Sequence, residues 1–237
     1  MYVGISMAGV ARTMSSHYPR VHLNADTYRI IPSHFPPISL FEDLLESNEL
    51  EAAYALESLT NDRLQDEAGN ILLVEKHDRV VGQGSTPIMA AFTHIGIPSR
   101  FTEGGYGVYY AGLQLETAIT ESAFSRARFL AATDQYPQTI TMRCYKCFVD
   151  AELVDARLDD AVHNANSFIA GQQLGKRLKH DNEHGVLYQS VRHSGGECVA
   201  ILRPIALVPP AIQSAHFQFV WDGKSITDIL TVERFGC

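Results

Sequence analysis

Residues 99–130, SRFTEGGYGVYYAGLQLETAITESAFSRARFL, change character twice within one short stretch. Glycines at 104, 105 and 107 mark a turn, Tyr106–Ala111 reads as a buried strand, and Leu115–Leu130 reads as a helix. On a helical wheel, Leu115, Ala118, Ile119, Ala123, Ala127 and Leu130 form one apolar stripe, with Glu121 nearly opposite it. The same stretch supplies Arg100 before the glycines and the pair Tyr109–Tyr110 on the strand. An arginine can grip a phosphate through two parallel hydrogen bonds, a tyrosine can stack on a flat ring, and a glutamate can stabilise a sugar cation. Taken singly, each has a plainer reading: a surface ion-pair arginine, a packing tyrosine, a solvated glutamate. Successive strand residues face opposite ways, so one of the two tyrosines packs in the core and the other is free to line a cleft.

Upstream, residues 1–26 are polar and turn-rich and read as a loosely held arm, followed by a short strand at Thr27–Ile31 that carries Arg29. From Ile38 to about Leu64 two apolar stripes predict helix. Extended to Ala68, the region holds nine acids against one base, Arg63. This acidic helical insertion (38–68) lies within a single domain over 27–237. Ile71–Glu75 predicts a strand, Gly82–Pro87 a turn, and Ile88–Phe92 is a short apolar run. The glycines of GQGSTP do not open a helix after a strand, which excludes a dinucleotide-binding Rossmann motif. Downstream come a strand at Thr139–Leu153, a helix at Ala165–Lys179, strands at Gly185–Leu187 and Glu197–Arg203, and edge strands at His216–Trp221 and Ile226–Val232. Strands and helices do not alternate regularly, so the fold class is α+β.

Composition narrows the function classes. With 46% hydrophobic and 19% charged residues over 237 positions, the chain reads as a soluble globule with a real core. A net charge of −8 argues against a nucleic-acid surface but leaves room for a small anion in a local basic pocket. No apolar run is long enough to span a membrane, and the first twenty residues lack the pattern of a secretory leader. Cys144 and Cys147 are three apart on a strand, so they point to opposite faces and cannot share a metal.

A second polar island, Tyr188–Gln189–Ser190–Val191–Arg192, sits between two apolar strands. Ser190 lacks the glycine elbow and visible base of a serine hydrolase, and reads instead as a hydrogen-bonding residue beside a ligand. His180, Glu183 and His184 match H-x-x-E-H, a zinc-peptidase spacing, but the motif straddles a helix end, where an ordinary polar terminus is the plainer reading.

The ordered blocks YRI (28–30), SRF through LETAITE (99–121) and GVLYQSVRHSGGECVAILRP (185–204) resemble the RES domain, a family named for its Arg, Glu and Ser. The resemblance covers about residues 27–205. It implies an ADP-ribosyltransferase-like core of small β-sheets flanked by helices, and a cytoplasmic toxin of a bacterial toxin–antitoxin pair. It implies an enzyme that takes NAD as substrate with no resident cofactor or metal, and a cognate Xre-type antitoxin whose C-terminal segment blocks the active site. Matched motif by motif, the family arginine falls on Arg100, its tyrosine on Tyr109, its glutamate on Glu121 and its serine on Ser190, while Arg29 matches a further arginine near the domain start. About seventy positions separate Arg29 from Arg100, as in a longer subfamily with an inserted helical region, and Thr102–Glu103 stands where Asn-Pro often follows. That insertion is expected to form a homodimer, cover the cleft or receive the partner.

The chemistry is consistent with these residues. Breaking the nicotinamide–ribose bond passes through an oxocarbenium-like sugar, and nicotinamide leaves from a pyridinium that is already cationic, so one carboxylate suffices. Arg100, helped by Arg29, is expected to hold the pyrophosphate, Tyr109 to stack on nicotinamide, Glu121 to engage the ribose and Ser190 to fix a ribose or amide group. ADP-ribose would pass to water, phosphate or a protein. A catalytically silent binding module is the alternative from another class.

Overall fold

Seven strands and three helices make up the computed structural model, which describes residues 18–33 and 69–233. The first seventeen residues of the expected arm, the acidic stretch 38–68 and Cys237 lie outside these described residues. In chain order the elements are β1 (Arg20–Pro32), α1 (Thr86–Thr93), β2 (Tyr109–Gly112), α2 (Leu115–Ala132), β3 (Gln138–Asp155), α3 (Ile169–His180), β4 (Gly185–Gln189), β5 (Glu197–Ile201), β6 (Leu207–Trp221) and β7 (Ile226–Val232). The class is α+β, as the irregular succession of elements predicts.

The strands run β1-β2-β5-β4-β3-β6-β7, and β1 also pairs with β3. Two groups result. Long antiparallel ladders join β1, β3, β6 and β7, whereas β2, β5 and β4 form a short antiparallel trio. The groups are stitched at Tyr28↔Gly112 and through the parallel contact of Val154 and Asp155 with Val186 and Leu187.

β1 is longer than the sequence suggests. Arg20, His22, Asn24 and Asp26 are exposed while the residues between them are half-buried, and pairing with β3 is unbroken from Arg20↔Val154 to Pro32↔Met142. Residues 20–26 therefore belong to the sheet, not to a loose arm. Other short apolar runs also differ from expectation: Ile71–Leu73 forms one 3-10 turn capped by the Asn70 side chain, and Ile88–Phe92 lies inside α1.

Three apolar clusters follow from strand periodicity. On β3, Ile140, Met142 and Cys144 face one way, joining Phe217, Phe219 and Trp221 under the α2 stripe of Leu115, Ile119, Ala123, Ala127 and Leu130. Cys147, Val149, Ala151 and Leu153 face the other way, meeting Tyr109, Val199, Ile201 and α1. The outer face of the trio, with Val186, Tyr188, Cys198 and Ala200, packs on Leu174 and Leu178 of α3. Fully buried side chains such as Phe219 and Trp221 each contribute about 1.5–3 kcal/mol, which fixes α2 on its sheet. Cys144 and Cys147 do lie on opposite faces, both buried as free thiols.

Candidate active site

Polar side chains converge where α2, the segment preceding α3 and the β4–β5 turn meet. Glu121 projects from the face of α2 that the apolar stripe leaves open. Its Oε1 accepts hydrogen bonds from Ser190 Oγ at 2.6 Å, Val191 N at 3.0 Å and Arg192 N at 3.3 Å. All three bonds fall on one oxygen, so the carboxylate is oriented, while among the described residues Oε2 accepts no hydrogen bond. A residue that helical periodicity assigns to solvent is thus held by a loop sixty-nine positions away.

The Ser190 hydroxyl is fully used. It donates to Glu121 and accepts from Arg192 N at 3.2 Å and His193 N at 2.9 Å, which exhausts one donor and two lone pairs. Ser190 therefore orients the glutamate and has no bond left for a ribose or amide. The loop is fastened to α2 a second time, where buried Thr117 Oγ1 lies 2.8 Å from His193 Nδ1. Gly196 permits this: a Cβ there would come within 2.5 Å of Thr117 Oγ1.

Arg100 is set by close backbone approach. Two glycines one turn apart on α3 press against its segment, and added Cβ atoms would stand 2.4 Å (Gly171) and 2.0 Å (Gly175) from the Arg100 and Phe101 carbonyl oxygens. Gln172 Nε2 donates to Ser99 O at 3.0 Å. The residue is 8% exposed; its guanidinium donates through Nη1 to the carbonyls of Val162 (2.7 Å) and Asn164 (3.1 Å), and its Cζ lies 4.9 Å from the Phe168 ring centre. Arg100 and Glu121 share one neighbourhood. Burial above all, reinforced by Glu121 and opposed by Arg100, raises the Cys198 thiol to about 12, and both charges also act on the buried Tyr188 phenol.

The RES domain family model matches residues 76–222. The chain belongs to the RES family. It is 28% identical over 220 residues to the uncharacterized protein y4oC of Sinorhizobium fredii (strain NBRC 101917 / NGR234), with 91% of each chain covered. Among solved structures, the M. tuberculosis MbcT–MbcA toxin–antitoxin complex aligns with 90% of this chain and 86% of that one, at 10% identity and a TM-score of 0.43.

Two expected site residues stand apart from the RES cluster. Tyr109 is 1% exposed inside the central core, and Arg29 lies over it, Cζ 4.9 Å from the ring centre, with Nη1 donating to Tyr110 O at 3.2 Å. Tyr109 presents no face for stacking, and Arg29 packs on the Tyr109 side of β2, with no contact to Arg100, Glu121 or Ser190. The strand alternation that buries Tyr109 turns Tyr110 to the Arg100 side. There its hydroxyl lies 2.8 Å from Ser99 Oγ and accepts from Phe101 N at 2.9 Å, and burial raises it to about 12.

Other side chains complete the site. Arg192 Cζ lies 3.5 Å from the Phe124 ring centre, and Arg128 Cζ stands over both Phe124 (5.9 Å) and Phe168 (4.9 Å). Phe124, Arg128, Phe168 and neighbours line a cleft of about 580 Å³, within the range of small-ligand pockets. Sequence reasoning passed over Phe124 and Arg128, yet they stand three and seven positions after Glu121, on the same helix face. An aromatic residue on a face otherwise read as solvated was the available signal.

The H-x-x-E-H residues are not brought together as a metal site. α3 ends at His180, which meets Asp181, while Glu183 accepts from Arg20. Among the described residues no group of His, Cys, Asp and Glu is arranged to hold a metal, and no helix is long and apolar enough to cross a membrane.

Proposed function

We propose that this RES protein is the toxin of a toxin–antitoxin pair and that it cleaves the nicotinamide–ribose bond of NAD. The observation that carries this reading is the Glu121 carboxylate, pinned through Oε1 and, among the described residues, open at Oε2, near arginines that form no ion pair with a described carboxylate. Oε2 engages the hydroxyls of the nicotinamide ribose and stabilises the positive charge as the C–N bond breaks. The bonding electrons pass to the pyridinium nitrogen, so neutral nicotinamide leaves without a general acid, and the nucleophile attacks the sugar C1. Such fixed electrostatic stabilisation is worth several kcal/mol in a water-poor site.

Arg100 and Arg192 hold the pyrophosphate, and Tyr110, not Tyr109, supplies the aromatic wall on the nicotinamide side. Ser190 acts as a positioning residue. Water, phosphate or a protein side chain accepts ADP-ribose, and a cognate antitoxin of the Xre type covers the cleft in the resting cell. The MbcT–MbcA complex is itself a toxin–antitoxin pair by its description.

The test is incubation of the purified chain with NAD and resolution of the products by mass. Nicotinamide plus ADP-ribose, ADP-ribose 1″-phosphate or a protein adduct supports the reading and names the acceptor. Tight NAD binding without nicotinamide release would make the chain a silent binding module, and loss of NAD at the normal rate in Glu121→Gln would remove the carboxylate from the chemistry.

A further inference from the structure

The two halves of the proposed site are held by different pieces of chain. Ahead of α3, segment 162–165 supplies carbonyls to both arginines: Val162 and Asn164 accept from Arg100 Nη1, and Ala165 accepts from Arg192 Nη2 at 2.6 Å. The loop after β4 supplies Ser190, which orients Glu121. Arg192 crosses between the two pieces through Nη2, a donor that the pyrophosphate also calls on. His163 crosses with a bond that no anion competes for. It is the residue between the Val162 and Asn164 carbonyls, and it reaches Gln189, the residue before Ser190. Its Nε2 lies 3.0 Å from Gln189 N, its Nδ1 lies 2.7 Å from Asp159 O, and its ring stands 6.3 Å from that of buried Tyr188.

The partners fix the proton. A backbone N–H only donates, so Nε2 is bare, and a carbonyl only accepts, so Nδ1 carries the hydrogen. The imidazole is neutral with both nitrogens spent, and in this arrangement it does no acid–base work. The end of β3 explains the longer bond. β3 pairs in parallel with β4 as far as Asp155↔Leu187, Ala156 N still donates to Leu187 O, and the chain then turns away. The next β4 N–H on that side belongs to Gln189, and His163 supplies the acceptor that the sheet no longer does. The Asp159 bond alone would be a local cap within one turn, whereas the Gln189 bond spans 26 positions and ends beside the residue that aims Glu121. The Asp159 carboxylate is engaged elsewhere, by Ala161 N at 2.9 Å and by the Tyr18 hydroxyl. We infer that His163 is a positioning residue of the proposed reaction, a neutral imidazole that holds the arginine-binding segment in register with the Ser190 loop, so that clamp and acid address the same dinucleotide. This rests on the proposed cleavage of NAD.

Two substitutions separate the two bonds. His163→Gln places an amide oxygen near the Nε2 position, where it can accept from Gln189 N. His163→Asn keeps a donor near Nδ1 for Asp159 O but falls short of Gln189. With NAD, kcat/KM of His163→Asn is expected to fall about tenfold, the scale of one lost hydrogen bond, through both a lower kcat and a higher KM, while His163→Gln stays within about threefold of wild type. Equal loss in both variants makes the ring a packing element and overturns the inference. Wild-type kinetics in His163→Asn overturns it as well, and so does a fall confined to kcat, which would leave the arginine segment unlinked. Nitrogen-15 NMR should show a protonated Nδ1 and a bare Nε2 on the histidine whose signals vanish in His163→Gln, and a protonated Nε2 there overturns the inference. Calorimetric binding of ADP-ribose needs no turnover. Weaker binding in His163→Asn, restored in His163→Gln, supports the inference even if wild type leaves NAD intact, a result that would defeat the cleavage reading alone. Unchanged affinity in both variants overturns it while NAD cleavage stands. A wild type that neither binds ADP-ribose nor cleaves NAD defeats both.

Discussion

Arg29 and Arg100 look alike in the bare sequence and are used in opposite ways across the short strand β2. Each stacks a guanidinium on an aromatic ring at 4.9 Å, and neither has a carboxylate partner among the described residues. Arg29 lies on Tyr109, a core residue, with its Nε buried and unbonded, and burial lowers its pKa. Arg100 is buried too, but its guanidinium lies on Phe168, a residue that lines the cleft, with Nη1 satisfied by two carbonyls from the segment before α3. An arginine stacked within the core stiffens the packing. One stacked on a cleft-lining ring and bonded to the described residues through Nη1 alone keeps its other donors for an anion that reaches it.

The largest effect expected on the Arg100 side is that of Glu121→Gln. The amide oxygen can still accept from Ser190 and the two loop amides, so fold and loop survive while the negative charge is lost. Turnover of NAD should fall about 100- to 1000-fold, with the thermal midpoint nearly unchanged, as for removal of one preorganised electrostatic group. Should stability fall together with activity, the carboxylate would be a structural anchor first.

Ser190→Ala comes next. It removes the hydroxyl that orients Glu121 and that closes the loop through Arg192 N and His193 N. If Ser190 only positions, kcat falls by roughly 10- to 100-fold while KM for NAD moves little, because uniform binding is untouched. A matching rise in KM would return Ser190 to direct contact with the substrate.

What the sequence discloses and what it hides divides along the same line as these residues. The α2 stripe from Leu115 to Leu130 is legible because a single helix face meets a single sheet. β3 is legible in extent because buried residues alternate with exposed or half-buried ones along most of its length, the period of a strand. The Tyr109–Tyr110 alternation is also legible, but not its sense: both faces of β2 meet apolar clusters, so composition does not say which one carries the site. Residues 20–26 hide as a polar arm because each second residue of this half of β1 is exposed. Glu121 is hidden by its partner, a loop from a distant strand pair that no local period reports. Short runs such as Ile71–Glu75 carry too few residues for periodicity to tell a strand from a turn.

Tyr110→Phe sharpens the contrast between the two tyrosines. The phenol accepts from Phe101 N and contacts Ser99 Oγ, so its loss leaves a buried amide unpaired beside Arg100. A cost of about 1–2 kcal/mol is expected for stranding that donor, read as a lower urea midpoint. The weakened grip on Arg100 should also raise KM for NAD. If KM stays fixed while the midpoint falls, Tyr110 supports the segment without shaping the substrate wall.

The smallest effect, and the sharpest test of the contrast, belongs to Arg29→Met. Methionine keeps most of the alkyl volume over the Tyr109 ring and removes a buried charge that no acid among the described residues compensates. Replacing a poorly paired buried ion by an apolar side chain of similar size is often neutral or stabilising. Against that gain stands the lost bond to Tyr110 O at 3.2 Å, long for a charge-assisted contact, and the lost cation–ring attraction. The balance should fall within about 1 kcal/mol of wild type, and KM for NAD should stay flat because no part of Arg29 reaches the Arg100 cluster. A clear rise in KM with unchanged unfolding would mean that the substrate draws Arg29 across β2. The two arginines would then form one clamp, and the division between core and cleft would no longer hold.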